Sequence, residues 1–371
     1  MVLPSALSPP KEAMEKLFTI VGVVLAISLL VIIHEFGHYL VARAFGMRVL
    51  TYSIGFGPVI ARWRPRGSET VFQIAAIPLL AYVQVAGMNP REPVDPHDRG
   101  SYQNARPIAR LLMIAAGPLA NYFAAALAIF VLLAFGGERL DASARAQIGD
   151  VIAGKPAQAA GFRPGDTIVA INGTPTPTWR SMLERVRGSN GEALRMRYRR
   201  GSEELETTVT PRPLEIDGQR IFGIGITQLT QYRPVPLRRA VSDSIVKPAV
   251  MTADIVDTLV KMFRRQIKDA QLVGPVRMVQ ETAQQASKGW RDGLIAVSFI
   301  SLQLFVMNLL PIPVLDGGRL LMLAYEMIMR RKPNATLETR LLQGSMVLML
   351  GLFLVVTSRE IFGLVKGLFQ S

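Results

Sequence analysis

Residues 17–38 read LFTIVGVVLAISLLVIIHEFGH, an uncharged apolar run from Leu17 to Ile33 that closes on His34-Glu35-Phe36-Gly37-His38. A helix of this length nearly crosses a ~30 Å hydrocarbon core, and a carboxylate at the end of such a span is costly to bury. Positions i and i+4 share one helix face, so the two imidazoles can hold a single metal ion. Glu35 is then placed to take a proton from a water activated at that ion. The whole sequence has three histidines, so a chance pairing at this spacing beside a glutamate is a weak rival.

Composition widens the picture. Of 371 residues, 50% are hydrophobic and 19% charged, with a positive mean hydropathy. That is too apolar for an ordinary soluble enzyme and too polar for a chain that is all membrane. No cysteine is present, which excludes disulfides and thiolate zinc sites and leaves His, Asp and Glu as ligands. The net charge of +14 is explained by basic loops beside membrane spans and a lipid bilayer as partner. No basic helix interleaved with aromatics supports nucleic acid as a partner. The first apolar run leads into the metal motif, so it reads as an uncleaved first span rather than a signal peptide.

Four spans are predicted: Leu17–His34 within a first segment 1–51, Leu111–Gly137, Gly293–Leu315 and Leu341–Ser358, the last two making up 293–371. Thr70 to Pro90 also lacks charge, but it holds Pro78 and a β-favouring set that includes Val71, Phe72, Ile74, Tyr82, Val83 and Val85. Arg48, Arg62, Arg64 and Arg66 before it, and Arg91, Arg99, Arg106 and Arg110 after it, argue that both flanks face the same side. Segment 52–110 is therefore expected to form a cytoplasmic-side β-hairpin and loop, with the hairpin, roughly 52–88, dipping into the membrane region. Loop 316–340, rich in arginine, should share that side, which places residues 138–292 outside.

The outer part divides into a small domain, 138–230, and an amphipathic membrane-surface segment, 231–292. In the domain, Gly149–Ile152 reads as a strand, Pro156–Ala160 as a short helix, and Ile168–Ile171 as a strand ending in the hairpin signal Asn172-Gly173. A helix near Trp179–Val186 and strands near Leu194–Tyr198 and Leu205–Val209 follow.

A catalytic zinc usually keeps three protein ligands and an open position. His97 sits in the polar run Pro96-His97-Asp98-Arg99 and reads as a solvated residue. The better third ligand is Asp316, in NLLPIPVLDGG from Asn308 to Gly318, where Pro311 and Pro313 force the chain out of helical geometry. Asn308 carries an amide able to orient a scissile carbonyl or hold an oxyanion. Gly117-Pro118-Leu119-Ala120-Asn121 interrupts the second span; Asn121 is either packing glue between helices or a direct part of the site.

HEFGH in the first span, GPLAN in the second, NLLPIPVLDGG in the third, and one outer domain between spans two and three together resemble the site-2 protease family of intramembrane zinc metalloproteases. The likeness is to the bacterial regulator of sigma-E protease branch. Gly55-Phe56-Gly57-Pro58, Ile77-Pro78-Leu79 with Tyr82-Val83, and Leu272-Val273-Gly274-Pro275 carry it along the chain. Family members often have paired glycines after Ile-Pro-Leu, where this chain has Leu80-Ala81. Residues 139–214, with AGFRPGDTIVAING, resemble a PDZ domain.

The resemblance implies a multi-pass α-helical membrane protein with four transmembrane helices, a membrane-associated β-hairpin and one extracytoplasmic α+β PDZ-like domain. It implies a Zn2+ endopeptidase of the bacterial inner membrane, with His34, His38 and Asp316 as ligands and Glu35 catalytic. Its substrates would be single-span membrane proteins such as anti-sigma factors, already trimmed by an upstream site-1 protease, together with signal-peptide remnants. Two other function classes compete: a catalytically silent PDZ-bearing scaffold, disfavoured by the intact Glu35, and a metal or ion transporter. A transporter would spread polar groups through several spans at mid-depth rather than gather them at one end.

Overall fold

The computed structural model describes residues 10–89, 91–139, 145–216, 219–229, 232–266 and 274–368. It separates into two compact units, residues 1–132 with 237–371, and residues 133–236.

The first unit starts with α1 (Pro10–Ala44), then β1 (Val49–Trp63), β2 (Val71–Val85) and α2 (Pro107–Val131). Four helical stretches, Phe18–Ala44, Pro107–Gly136, Trp290–Asn308 and Ala335–Gly363, are long and apolar enough to cross a membrane. At 1.5 Å per residue the 19-residue stretch Trp290–Asn308 reaches about 28 Å, close to a hydrocarbon core. Between helices in lipid, apolar burial provides little drive, because lipid tails are as apolar as leucine; close packing of small residues and polar links take over. Gly37 shows the first device: a Cβ there would collide with the Ala116 carbonyl and the Ala120 side chain.

The expected hairpin is a more folded object than two strands. Residues 51–54 of β1 have two sets of partners, Gln84 to Ala81 along one side and Val71 to Ile74 along the other, while Val59–Trp63 pairs back with 72–75. Each long strand is thus bent onto itself, which leaves residues 81–85 partnered along one side only. Gly55 and Gly57, with φ of 93° and 90°, make the bend; a Cβ on Gly55 would run into the Ala75 carbonyl. Gln73 holds the bent layers together by donating from Nε2 to Ser53 Oγ at 3.1 Å and to Tyr82 Oη at 3.0 Å. The sheet is tied to α1 by Tyr52, whose hydroxyl donates to the Ile32 carbonyl at 2.9 Å, and by the packed rings of Tyr39, Tyr52 and Phe72. Phe56, Ile60, Trp63 and Leu80 remain exposed.

The second unit is built from β3 (Glu138–Arg139), β4 (Ile148–Val151), α3 (Pro156–Ala159), β5 (Thr167–Ile171), β6 (Thr174–Pro175), α4 (Trp179–Gly188), β7 (Leu194–Arg200) and β8 (Glu203–Val209). The short strands β9 (Arg212–Ile216), β10 (Gln219–Gly223), β11 (Ile226–Gln228) and β12 (Tyr232–Arg233) complete it. Its main sheet has the order β6-β5-β7-β8. Asn172 and Gly173 both have positive φ, 48° and 78°, the requirement of the tight turn that Asn-Gly signals, and Ile171 pairs with Thr174 across it. Helix α4 starts on a capping box in which Thr178 and Ser181 satisfy each other's backbone amides. Ile148, Ile168, Ile171, Met182 and Met196 fill the core.

The chain then returns to the first unit with α5 (Leu237–Phe263), α6 (Pro275–Ala286), α7 (Trp290–Asn308), α8 (Asp316–Met329) and α9 (Ala335–Leu368). In α5, the stretch expected to lie on a membrane surface, Ile255 packs with Ala125 of α2 and Leu302 and Val306 of α7. Gly274 lets α9 close on the start of α6: Glu360 accepts from the Gly274 amide at 2.6 Å and the Val276 amide at 3.2 Å, where a glycine Cβ would stand in the way. Gly274-Pro275 in the sequence is therefore a helix N-terminus capped by a distant carboxylate. Helix α8, inside the stretch read from sequence as loop 316–340, is anchored by Leu323 in a core with Met113 and Ile114 and by the Arg110–Glu326 ion pair.

Candidate metal centre

Helical spacing brings the two imidazoles of α1 together, and α8 supplies the carboxylate. His34 Nε2 and His38 Nε2 lie 3.2 Å apart, and Asp316 Oδ2 stands 3.0 Å from the first and 3.4 Å from the second. Ligand atoms at about 2.0–2.1 Å from a tetrahedral zinc are separated by about 3.3 Å, so this triangle needs almost no rearrangement to take one. Both histidines are buried. Asp316 begins α8 because Leu315 is extended, and the chain reaches it through the non-helical residues 309–315, as the two prolines require.

Helix α2 shapes the site from the other side. A Cβ on Gly117 would occupy the space of both Nε2 atoms, so glycine here is a steric requirement of two histidines meeting. Pro118 lacks an N–H, so the Ile114 carbonyl in the preceding turn goes without its helical donor. His38 Nδ1 sits 2.8 Å from the Met113 carbonyl in that turn. Such a bond places the Nδ1 proton on the carbonyl and leaves Nε2 free for a cation. His34 Nδ1 lies 3.2 Å from the Asn121 amide, whose Oδ1 is buried without a partner. Turning that amide over gives Oδ1 the His34 Nδ1 proton and again frees Nε2. Asn121 thus orients a metal-facing imidazole, while its own carbonyl accepts from Ser301 Oγ at 2.7 Å. Asn121 therefore touches both a neighbouring helix, through Ser301, and the His34 ring.

A pocket of 220 Å³ opens at the triad, lined by His34, Glu35, His38 and Asp316, by Tyr82, Val83 and Val85 of β2, and by Asn308, Val314 and Leu315. The Val83 amide faces Glu35. Asn308 is thus at the site, with Nδ2 donating to the Leu304 carbonyl at 2.9 Å; one amide N–H and its Oδ1 stay available. His97 is exposed and the described residues give it no place in the group of potential metal ligands. Sequence reasoning missed the Met113 carbonyl, because a backbone acceptor has no side-chain signature. It also missed helix α8, whose Leu320, Met322 and Leu323 were legible only as an apolar run.

Residues 22–352 match the model of Peptidase family M50. The chain belongs to this family. Metalloprotease MmpA of Caulobacter vibrioides is 30% identical over 95% of this chain and 99% of its own length. Zinc metalloprotease RasP of Geobacillus kaustophilus is 26% identical over 94% and 98%, and a Nostoc sp. protein named provisionally as a zinc metalloprotease is 29% identical over 91% and 95%. Among solved structures, the PDZ domain of an SdrC-like protein from Listeria monocytogenes covers 25% of this chain and 94% of its own at 19% identity, with a TM-score of 0.21. This M50 peptidase is a zinc metalloendopeptidase, and its four apolar helices make it a multi-pass membrane protein. The site-2 protease resemblance read from HEFGH, GPLAN and NLLPIPVLDGG is borne out.

Proposed function

We propose that this M50 peptidase cuts peptide bonds in or beside the transmembrane segment of single-span membrane proteins, anti-sigma factors among them, after an upstream protease has shortened their outer part. Signal-peptide remnants belong to the same substrate class. One observation carries this reading: Glu35 shares a single pocket with the His34–His38–Asp316 triangle and with Tyr82, Val83 and Val85 of the extended strand β2.

Zinc held by His34, His38 and Asp316 supplies Lewis-acid polarisation of a scissile carbonyl and lowers the pKa of water. The chain's residues do the rest. Glu35 accepts the proton of the attacking water and passes it to the leaving amine nitrogen. Asn308, with one N–H uncommitted, stands where it can steady the carbonyl oxygen. A substrate helix must unwind before cleavage because its carbonyls are hidden in its own hydrogen bonds. Residues 81–85, partnered on one side only, offer an edge on which an unwound segment can pair.

The same reading puts the protein in a bacterial inner membrane with the 133–236 unit in the periplasm as a PDZ-like module. The arginine-rich segments around the hairpin and after α8 support it through the positive-inside bias. Comparative membrane proteomics tests the proposal: cells carrying Glu35→Gln should accumulate single-span proteins that parental cells lack. A membrane proteome indistinguishable from the parent would defeat it.

A further inference from the structure

A second cavity, 420 Å³ in volume, opens beside the pocket at the triad and shares Tyr82, Val83, Val85, Met88 and Arg319 with it. Its size falls in the range of about 300–1,000 Å³ usual for ligand sites. No residue of the His34–His38–Asp316 group lines it, and neither does Glu35. Its far wall holds Tyr102, Arg110, Met322 and Glu326. Arg110 is paired there through both terminal nitrogens, with bidentate bonds to Glu326 at 2.9 and 2.6 Å and its guanidinium over the Tyr102 ring.

Arg319, at the boundary between the cavities, is different. Among the described residues its guanidinium makes one hydrogen bond, from Nη1 to the Met88 sulfur at 3.2 Å, and a thioether is a weak acceptor. Glu92 and Glu338 also line the cavity; the Arg319 charge acts on the Glu338 carboxyl, but among the described residues no carboxylate makes an ion pair with Arg319. A partly buried guanidinium carries five donors in a planar fork matched to a carboxylate. It sits one turn beyond Asp316 in the first turn of α8, where the helix dipole adds to its positive field. A group this costly to desolvate, held where both cavities meet, is a recognition element with its acceptor still to come.

We propose that the 420 Å³ cavity is a subsite for the substrate chain flanking the scissile bond, with Arg319 gripping a carboxylate of that chain. The inference rests on the peptidase reading above. Two carboxylates have the required chemistry: an acidic side chain near the cleavage point, and the new C-terminus made by cleavage. A product terminus held by Arg319 is drawn away from the triad, whereas an acidic side chain sets the cleavage register.

The test uses the zinc-loaded full chain in bilayer discs and a fluorogenic single-span peptide that it cleaves, made in matched forms with Asp or Asn near the cleavage point. The N-terminal product is supplied with a free carboxylate or a carboxamide as inhibitor. A bidentate charge-assisted contact predicts an acid-over-amide preference on the order of tenfold in KM or in inhibition. Arg319→Gln should erase that preference, and Arg319→Lys should restore part of it. A preference among the substrates assigns the side chain; one confined to the inhibitors assigns the terminus. Met322→Trp, which fills the cavity from the opposite wall, should also erase it, so the idea stays testable if an Arg319 variant folds poorly. A wild-type chain with no acid preference, or an unchanged preference in Arg319→Gln and Met322→Trp, overturns the subsite. Cleavage of both peptide forms by Glu35→Gln would overturn the peptidase reading instead.

Discussion

The two units invert one another. In residues 133–236 the interior is mainly apolar, with Ile148, Ile168, Met182 and Met196 almost wholly buried; apart from Asp166, buried and paired with Arg200, charges lie outside in pairs such as Arg195–Glu206 and Arg199–Glu204. In the membrane-helix unit the apolar side chains face outward, among them Phe18, Phe123, Val347 and Leu348. Its interior holds His34, His38, Gln73, Arg110 and Asn121. The difference follows from the surroundings each surface suits. Water rewards burial of each large apolar side chain by about 1.5–3 kcal/mol, whereas lipid rewards none and leaves polar contacts to specify how helices meet. The chemistry belongs to the unit that buries a cluster of polar groups beside its apolar cores.

Several measurements break or sharpen that contrast. The largest effect should come from Glu35→Gln: removing the general base lowers kcat by about 10²–10⁴-fold, while zinc content, read by atomic emission, stays at the parental level. Zinc loss with activity would assign Glu35 a ligand role and sink the mechanism.

Next in size is the ion pair between α2 and α8. Arg110→Ala leaves Glu326 in a partly buried place without its partner, a change that costs about 3–5 kcal/mol, read as a lower thermal midpoint in detergent. The pH profile carries the same sign. The hydrogen bond from Arg110 holds the Glu326 carboxyl below its ordinary value of 4.5. Its stabilisation is therefore complete above that value and fades as pH falls through the lowered one; the Arg110→Ala protein should lack this acid loss. An identical acid limb in the variant would show that the pair contributes nothing.

Smaller still is the effect of Asn121→Ala. Without an acceptor for the His34 Nδ1 proton, zinc affinity should fall by about 10–100-fold, measured by competition with a chelator. Unaltered affinity would return Asn121 to a packing role.

The smallest change tests the apolar unit. Thr178→Ala removes the cap of α4 and should lower stability by ~1 kcal/mol, with no change in zinc affinity. A zinc effect from that substitution would erase the contrast between the two units.

Legibility followed the range of the interactions. Asn172-Gly173 reported its turn because two adjacent positive φ values are a local demand that few residues meet. Thr178 with Ser181 capped a helix within one turn. His34 and His38 advertised a shared face because α-helical periodicity is local too. The bent sheet was not legible as such: alternating β-favouring residues in 49–85 specify strands, but not that 51–54 would lie between two stretches of the same partner strand. Gly117 read as a packing glycine until the imidazoles it makes room for were in view. Arg319 read as one more loop arginine.

The amino-acid sequence alone indicated the spans, four strands of the small unit (β4, β5, β7 and β8), and the residues His34, His38 and Asp316 as candidate ligands. All of these depend on contacts within a few residues along the chain. Only the tertiary structure decided that Asp316 reaches His34 and His38 across nearly three hundred residues, that Met113 and Asn121 orient the two rings, and that Arg319 borders a second cavity. Those relations depend on how separate helices pack, and helix periodicity carries no information about which distant turn will face it.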